Sequence, residues 1–312
     1  SFVMRKSHIA EYKGTYCRLI EPTTQKGKEE MFLVGENRYY VSKSVLSKIP
    51  GQPIAYSMKR KLLELFDGEC IGDYCVQRMR ISTGDNNRFL RLWFEVEKEK
   101  MFYPNKWVAF SKGGEYRKWY GNWGYLLNYE NSGYELKNFS GFSGGSDEWY
   151  FKPGLVWTDL STGKISFRNF PSGAIACSAG PMISMESKKI RYYMAGYLNS
   201  SVANEYVKLL CTTLHFQWGD VAKIPVIYSK IREYDIISIV QDNIMQSKLD
   251  WDSFETSWDF MQHPLIRCAS FSMKKMQEDS KRYIQDMNYI NDAFTNWENK
   301  CFLRFNQFKF VI

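Results

Sequence analysis

The chain has 312 residues, of which 44% are hydrophobic and 24% charged, with a formal net charge of +8. This composition excludes a disordered chain and leaves room for one large domain or two ordinary ones around a substantial core. No apolar run approaches the ~20 residues that cross a bilayer, and the first residues, SFVMRKSHIAEYKG, lack the apolar centre of a signal peptide, so a cytoplasmic protein with no membrane partner is expected.

The basic excess is uneven. Residues 1–66 carry 12 basic and 6 acidic groups, and residues 151–230 carry 9 and 4. Without long Lys/Arg blocks, this suits a folded surface that meets polyanions, although mildly basic proteins without such a partner are common. Seven cysteines, at 17, 70, 75, 177, 211, 268 and 301, argue for a reducing compartment and against a disulfide framework. The nearest thing to a metal pattern is Cys70-x4-Cys75 with Cys211-x3-His215. It lacks a CxxC pair and a second histidine, so no metal site is expected and buried free thiols are the better reading.

Taken in order, the chain opens at Ser1 without an initiator Met, and it is expected to be a piece of a longer polypeptide. Residues 3–21 read as a helix or connector running into a strand, and Ile49-Pro50-Gly51-Gln52-Pro53 as a rigid break. In 55–68, Met58, Leu62, Leu65 and Phe66 recur at helical spacing, with Gly68 placed to cap. Ser82-Thr83-Gly84-Asp85-Asn86 is a turn in which Asp85 or Asn86 caps the next element. The segment 87–98, NRFLRLWFEVEK, fits either period and is read as a helix. KWVAFSK, EYRKWY and GYLLNYE read as strands, and three or four more are expected between Trp149 and Met185. Two helices come next, at 190–199 and 201–211, with Asn199 or Ser200 capping between them, and then a short strand, AKIPVIY. From Ile231 the composition is helical, and Tyr283, Met287, Ile290, Phe294, Trp297, Cys301, Phe305 and Phe308 form an apolar stripe at heptad-like spacing.

No enzyme signature is present: there is no Gly-x-Ser-x-Gly, P-loop, HExxH or dinucleotide fingerprint, and the only histidines are His8, His215 and His263. His215, in LHFQW, suits a core or hydrogen-bonded histidine better than a catalytic one. Acid-x-Lys triplets occur five times, too cheaply to mark a nuclease. No catalytic residue is assigned.

The informative stretch is 81–130, where Trp93, Trp107, Trp119 and Trp123 stand among Arg88, Arg91, Lys112, Arg117 and Lys118. Guanidinium and amide groups can pair with base edges, and basic heads can hold phosphates. An antiparallel sheet with a charged outer face explains the same residues equally well. Lys112-Gly113-Gly114 is either a plain hairpin turn or a nest of backbone N–H groups for a phosphate. On a helix, Arg88 and Arg91 would share a face.

Five strings occur in one order: STGDNNRFLRLWFEV, KGGEYRKWYGNWGYLLNYENSGYELK, SFRNFPSG, HFQWGDVAKIPV and LDWDSFETSWDF followed by HPL. Together they resemble the C-terminal half of the PglX/BrxX-type adenine-specific DNA methyltransferases of BREX phage-defence systems. Related type IIG restriction–modification methyltransferases share part of the pattern, and the resemblance covers most of residues 5–305. The stretch from YLNSSVANEY to GDVAKIPV is also similar to the end of a target-recognition domain in type I specificity subunits, where a helical spacer comes next.

The resemblance implies a mixed α/β (α+β) target-recognition domain followed by an α-helical spacer region. Residues 1–49 would be a connector from a methyltransferase domain, 50–230 the DNA target-recognition domain, and 231–312 the helical region. Its implied function is sequence-specific recognition of double-stranded DNA on behalf of that methyltransferase domain. The family's Asn-Pro-Pro-Tyr motif and its glycine-rich S-adenosylmethionine motif are absent from this sequence, so no cofactor is expected in the chain itself and S-adenosylmethionine belongs to the methyltransferase domain. HFQWGDV departs from the pattern at Trp218, where a smaller apolar residue is expected. From side-chain chemistry at the matched strings, Lys112, Arg117 and Lys118 are the candidates for backbone contacts, and Asn86, Arg88, Arg91, Asn122 and Arg168 for bases or groove edges. The alternative is an interaction scaffold that docks other defence proteins without DNA specificity of its own, supported by the apolar stripe from Tyr283 to Phe308.

Overall fold

A computed structural model describes residues 12–264, apart from 76, 80, 162, 186 and 212, together with isolated positions at 3, 9, 266, 295 and 299; for 77–79 it describes the backbone. The stripe from Tyr283 to Phe308 therefore lies outside the described residues.

Lys13–Cys17 (β1) and Arg38–Ser42 (β2) form an antiparallel ribbon joined by helix Gln25–Val34 (α1). The Thr24 side chain caps α1 by accepting from the Gly27 N–H, and Gly35 ends it at φ 82°. Short helices follow at Lys43–Leu46 (α2), Arg60–Glu64 (α3) and Ile71–Tyr74 (α4). Gly68 closes the 3-10 turn after α3, as the sequence suggests, but in an extended conformation.

The chain continues through Gln77–Met79 (β3), Asn86–Phe89 (α5), Leu90–Leu92 (β4), Trp107–Ser111 (β5), Tyr125–Asn128 (β6) and Glu130–Lys137 (α6). Strands Gly154–Val156 (β7), Arg168–Phe170 (β8), Ala174–Ala176 (β9) and Met182–Ser184 (β10) come after it. The chain then becomes helical: Lys188–Leu198 (α7), Ser201–Leu210 (α8), Trp218–Val221 (α9) and Glu233–Trp251 (α10).

Two four-stranded sheets carry the fold. One has the order β3-β10-β7-β8 and is antiparallel throughout; the other has the order β4-β6-β5-β9, with β5 and β9 parallel. Strand periodicity makes the first sheet a divider between two cores. Leu155 and Ile183 point to one side, into a core shared with Met194, Leu198 and Tyr206 of α7 and α8. Their neighbours Val156, Phe170 and Met182 point to the other, against Phe110 and Leu127 of the second sheet and Trp123 beside it. The order is thus helices, sheet, sheet. Helix α10 lies on α7, where Gly196 permits the approach: a Cβ there would sit 2.8 Å from a Val240 methyl. The fold is mixed α+β, as expected.

Several sequence expectations hold. Strands form at KWVAFSK and GYLLNYE, and four lie between Trp149 and Met185. The Ser200 side chain caps α8 by accepting from the Ala203 N–H, 3.2 Å away. Three expectations do not hold. The 87–98 segment is not a helix; one turn ends at Phe89, because Leu90 and Leu92 pair with Leu127 and Tyr125 of β6. EYRKWY is not a strand: Trp119 adopts φ 74°, outside the extended region, and the segment makes only an isolated bridge, Trp119 to Arg168. AKIPVIY makes only one bridge, Cys70 to Pro225, since proline has no N–H for a ladder.

Among the described residues, Cys17, Cys70, Cys75, Cys177 and Cys211 are free, and no three His, Cys, Asp or Glu side chains come together in a way that could hold a metal ion. No helix among them is long and apolar enough to cross a membrane.

Candidate nucleic-acid interface

The turn at 82–86 is locked in place. Gly84, at φ 73°, lies so close to the Gly141 backbone that a Cβ would come within 2.4 Å of it. Ser82 and Ser143 exchange backbone hydrogen bonds of 2.7 and 3.0 Å, clamping this turn to the GFSGG loop. The Asp85 carboxylate caps α5 by accepting from the Arg88 N–H at 3.1 Å, and Thr83 donates to the Asn86 side-chain oxygen at 2.8 Å. Asn86 and Arg88 are therefore presented at the surface on a braced turn.

Their side chains are already engaged. Arg88 donates to the Glu135 carboxylate at 2.9 and 2.8 Å and lies over the Phe89 and Phe139 rings. Arg91 donates to the carbonyls of Asn87 and Leu90 at 2.7 and 2.6 Å and covers the Trp107 ring. Arg88 and Arg91 do not share a helix face, because the chain turns into β4 between them.

The other five candidates gather around the irregular strap from Lys112 to Asn122. Lys112 extends over the Tyr125 ring, 4.9 Å from its centre. Gly113 is buried against the Ala179 carbonyl, whereas Gly114 is exposed at φ 122°, so only the second glycine of the pair offers its backbone to solvent. The Asn122 amide donates to the Glu115 carbonyl at 2.9 Å and packs beside Gly114. Arg117 forms an ion pair with Asp250 of α10, its guanidinium over the Trp251 ring and its Nε buried without a hydrogen-bond partner. The Lys118 Nζ donates to the Asn199 carbonyl at 2.7 Å, and burial, helped by nearby Lys164, pushes its pKa down.

Arg168, unlike the others, is enclosed, with 1% of its surface exposed. Its two Nη atoms donate to the Arg117 carbonyl at 3.4 Å and to the Thr158 hydroxyl at 3.3 Å. Desolvation, and then the neighbouring Arg117 charge, push its pKa down to about 10.

The eight residues thus form two groups, not one surface. In the second sheet Arg91 stands in the row of Leu126 and Ala109, while Tyr125, beneath Lys112, belongs to the row of Leu92 and Phe110. Adjacent rows face opposite sides of a sheet.

Two depressions adjoin these groups. A small one, of about 330 Å³, lies between the 114–116 and 158–166 segments. A larger cleft, of about 860 Å³, is walled by Ser82, Ser143, Trp149, Asp159, Gln217 and Trp218. Sequence reasoning missed both as sites, although the larger is walled by pieces of three stretches far apart in the chain: Ile81-Ser82 just before TGDN, Ser143-Gly144-Gly145 and Gln217-Trp218-Gly219. Trp218, the residue that departs from the expected pattern, is part of its wall. His215, three residues before it in the chain, pairs through Nδ1 with the Asp159 carboxylate at 2.8 Å, which fits a hydrogen-bonded histidine.

The arrangement is a mixed α+β body with basic and amide side chains on braced turns. Its relatives are methyltransferases. The chain is 28% identical over 333 residues to the adenine-specific methyltransferase PglX of Lacticaseibacillus casei (strain Zhang), covering 99% of this chain and 26% of that protein. It is 33% identical over 277 residues to the adenine-specific methyltransferase BrxX of Escherichia coli O9:H4 (strain HS), covering 85% of this chain and 22% of that protein. No family model matches. Along most of its length the chain is homologous to one segment of the PglX/BrxX adenine-specific methyltransferases, and it spans about a quarter of the length of these curated relatives. The resemblance carried by the five strings is borne out.

Proposed function

We propose that this chain is the double-stranded DNA recognition region of an N6-adenine-specific DNA methyltransferase in a phage-defence or restriction–modification system. One observation carries the reading: nearly the whole chain is similar to adenine-specific methyltransferases yet corresponds to only about a quarter of each, and its own sequence has no Asn-Pro-Pro-Tyr motif. The chemistry is then divided. A methyltransferase domain binds S-adenosylmethionine and carries out the transfer in the cytoplasm, and this region, its C-terminal companion, selects the duplex site. Residues 50–230 form the reading body, and the helical part after 231 is the spacer.

Within that reading, Asn86, Arg88, Arg91 and Asn122 are candidates for groove edges and Lys112, Arg117 and Lys118 for the DNA backbone. Arg88 and Arg117 would exchange Glu135 and Asp250 for DNA, which makes their contribution smaller than that of a free arginine. The test is selection from a randomised duplex library with the purified chain near ~100 mM salt, since phosphate contacts make affinity salt-dependent. Enrichment of one short motif containing adenine is expected. Binding without enrichment, or no binding by a folded sample, overturns the reading.

A second reading, an interaction module for other defence proteins, is favoured by one feature. Helix α1 buries none of its residues, and Phe32, Leu33 and Val34 at its end stand 47%, 72% and 71% exposed. Failure of the selection together with self-association or capture through that face would favour this module.

A further inference from the structure

We propose that the pocket between the 114–116 and 158–166 segments is a phosphate site, holding one phosphate of the DNA backbone. This rests on the DNA reading above and deepens it. The pocket, about 330 Å³, is lined by Gly114, Tyr116, Thr158, Ser161, Lys164 and Ser166, with Glu115 also at its wall.

The first argument is unbalanced charge. Arg168 lies directly behind Thr158, whose hydroxyl accepts from its Nη2 at 3.3 Å. Its guanidinium is 1% exposed, its two hydrogen bonds are long, at 3.4 and 3.3 Å, and both go to uncharged oxygens. Among the described residues, no carboxylate forms an ion pair with Arg168, Lys118 or Lys164; of the neighbouring cations only Arg117 is paired, with Asp250. Lys164 thus lines the pocket and Arg168 backs it through Thr158, with the Lys118 charge near that of Lys164, against the exposed Glu115. A buried, uncompensated guanidinium is expensive, and an arriving anion offsets that cost. Burial of Arg168 and Lys118 lowers the pKa of each, which is the signature of positive charge held without a counter-ion.

The second argument is the supply of donors. The Thr158 hydroxyl spends its proton on the Gly114 carbonyl, 2.9 Å away. Ser161 and Ser166 instead accept through their hydroxyl oxygens, from the Gly163 N–H at 3.2 Å and the Arg117 N–H at 3.2 Å. Among the described residues neither hydroxyl proton has an acceptor, and both lie in the pocket lining with the exposed Lys164 ammonium. Two O–H donors and an ammonium, backed by a buried guanidinium, suit an anion with several acceptor oxygens. Gly114 at the wall packs tightly against Asn122, where a Cβ would sit 2.8 Å from the side-chain amide.

The experiment uses the full chain and its Lys164→Ala and Lys164→Arg variants. Lys164 is exposed, so folding should be unaffected by either change. Two probes are applied: inorganic phosphate, read as a shift in Tm against chloride at matched ionic strength, and a ~20-bp duplex, with its affinity measured across a salt series. The expected result is that phosphate raises Tm for the parent and for Lys164→Arg but not for Lys164→Ala. Lys164→Ala should also lower the slope of log Kobs against log salt by about 0.9. A single methylphosphonate, scanned along the duplex, should give the parent the same loss at one position and no further loss in Lys164→Ala. If duplex binds but neither the slope nor the methylphosphonate scan distinguishes the variants, the pocket is not a backbone-phosphate site, while the DNA reading stands. If no duplex binds but phosphate still stabilises through Lys164, the DNA source is overturned and the pocket takes a free phosphate group.

Discussion

Arg117 is held between a carboxylate and a ring, Asp250 on one side and Trp251 on the other, both from α10. Its Nε finds no partner, so Asp250 is its principal anchor. Replacing Asp250 by Asn should destabilise the chain by about 1–2 kcal/mol, measured by urea unfolding, since one charge of a partly buried pair is left alone. If Arg117 meets DNA, the same variant releases it, and duplex affinity should rise with a steeper salt slope; unchanged binding removes Arg117 from the interface. The thiols behave in the opposite sense. Burial pushes Cys75 and Cys211 up to about 12, which leaves almost no thiolate at neutral pH. Alkylation by iodoacetamide at about pH 8 should be far slower at both than in the urea-unfolded chain, read by peptide mass mapping.

At the scale of elements, the turns that brace the candidate interface carry specific backbone requirements. Gly84 combines φ 73° with a backbone neighbour that a Cβ would strike at 2.4 Å. Gly84→Ala should therefore cost about 2–4 kcal/mol, since neither the Gly141 backbone nor the left-handed geometry can yield cheaply. An effect under about 1 kcal/mol in urea titration would show that the two loops can separate. Ser200→Ala should cost about 1 kcal/mol by the same measurement, through loss of the cap on α8. These elements also mark where local reading of the sequence stops. Asp85 and Ser200 were legible as caps because capping is decided within three residues. The end of α5 at Phe89 was not, because it is decided by β6, some 35 residues further on, which pairs with Leu90 and Leu92.

The molecule as a whole has two cores that share one sheet, and its aromatic residues define how it meets alkaline pH. Burial pushes the Tyr120, Tyr150 and Tyr206 hydroxyls from 10.0 up to about 12, and the Cys75 and Cys211 thiols from 9.0 to about 12. The unfolded chain therefore releases these protons first. Their contribution to stability is complete below about pH 9 and is lost as pH rises towards 12. Tm should be flat to about pH 9 and then fall steeply; a Tm that stays level between about pH 9 and 12 would show that these buried groups contribute no such pH dependence.

The sequence by itself determined the class of the chain and its relatives: five strings in one order, a mixed strand-and-helix pattern, and charged and amide residues at 81–130. Those features are local or colinear, so they survive without coordinates. Tertiary structure alone decided which of those residues face outward. Arg168 and Lys164 lie four positions apart in one basic stretch, yet the first is sealed behind Thr158 and the second stands at a pocket mouth. Arg88 and Arg117 carry carboxylates from 47 and 133 residues away. The charge of a side chain is written in its own residue. Whether that charge is free depends on partners that only the folded chain brings within reach.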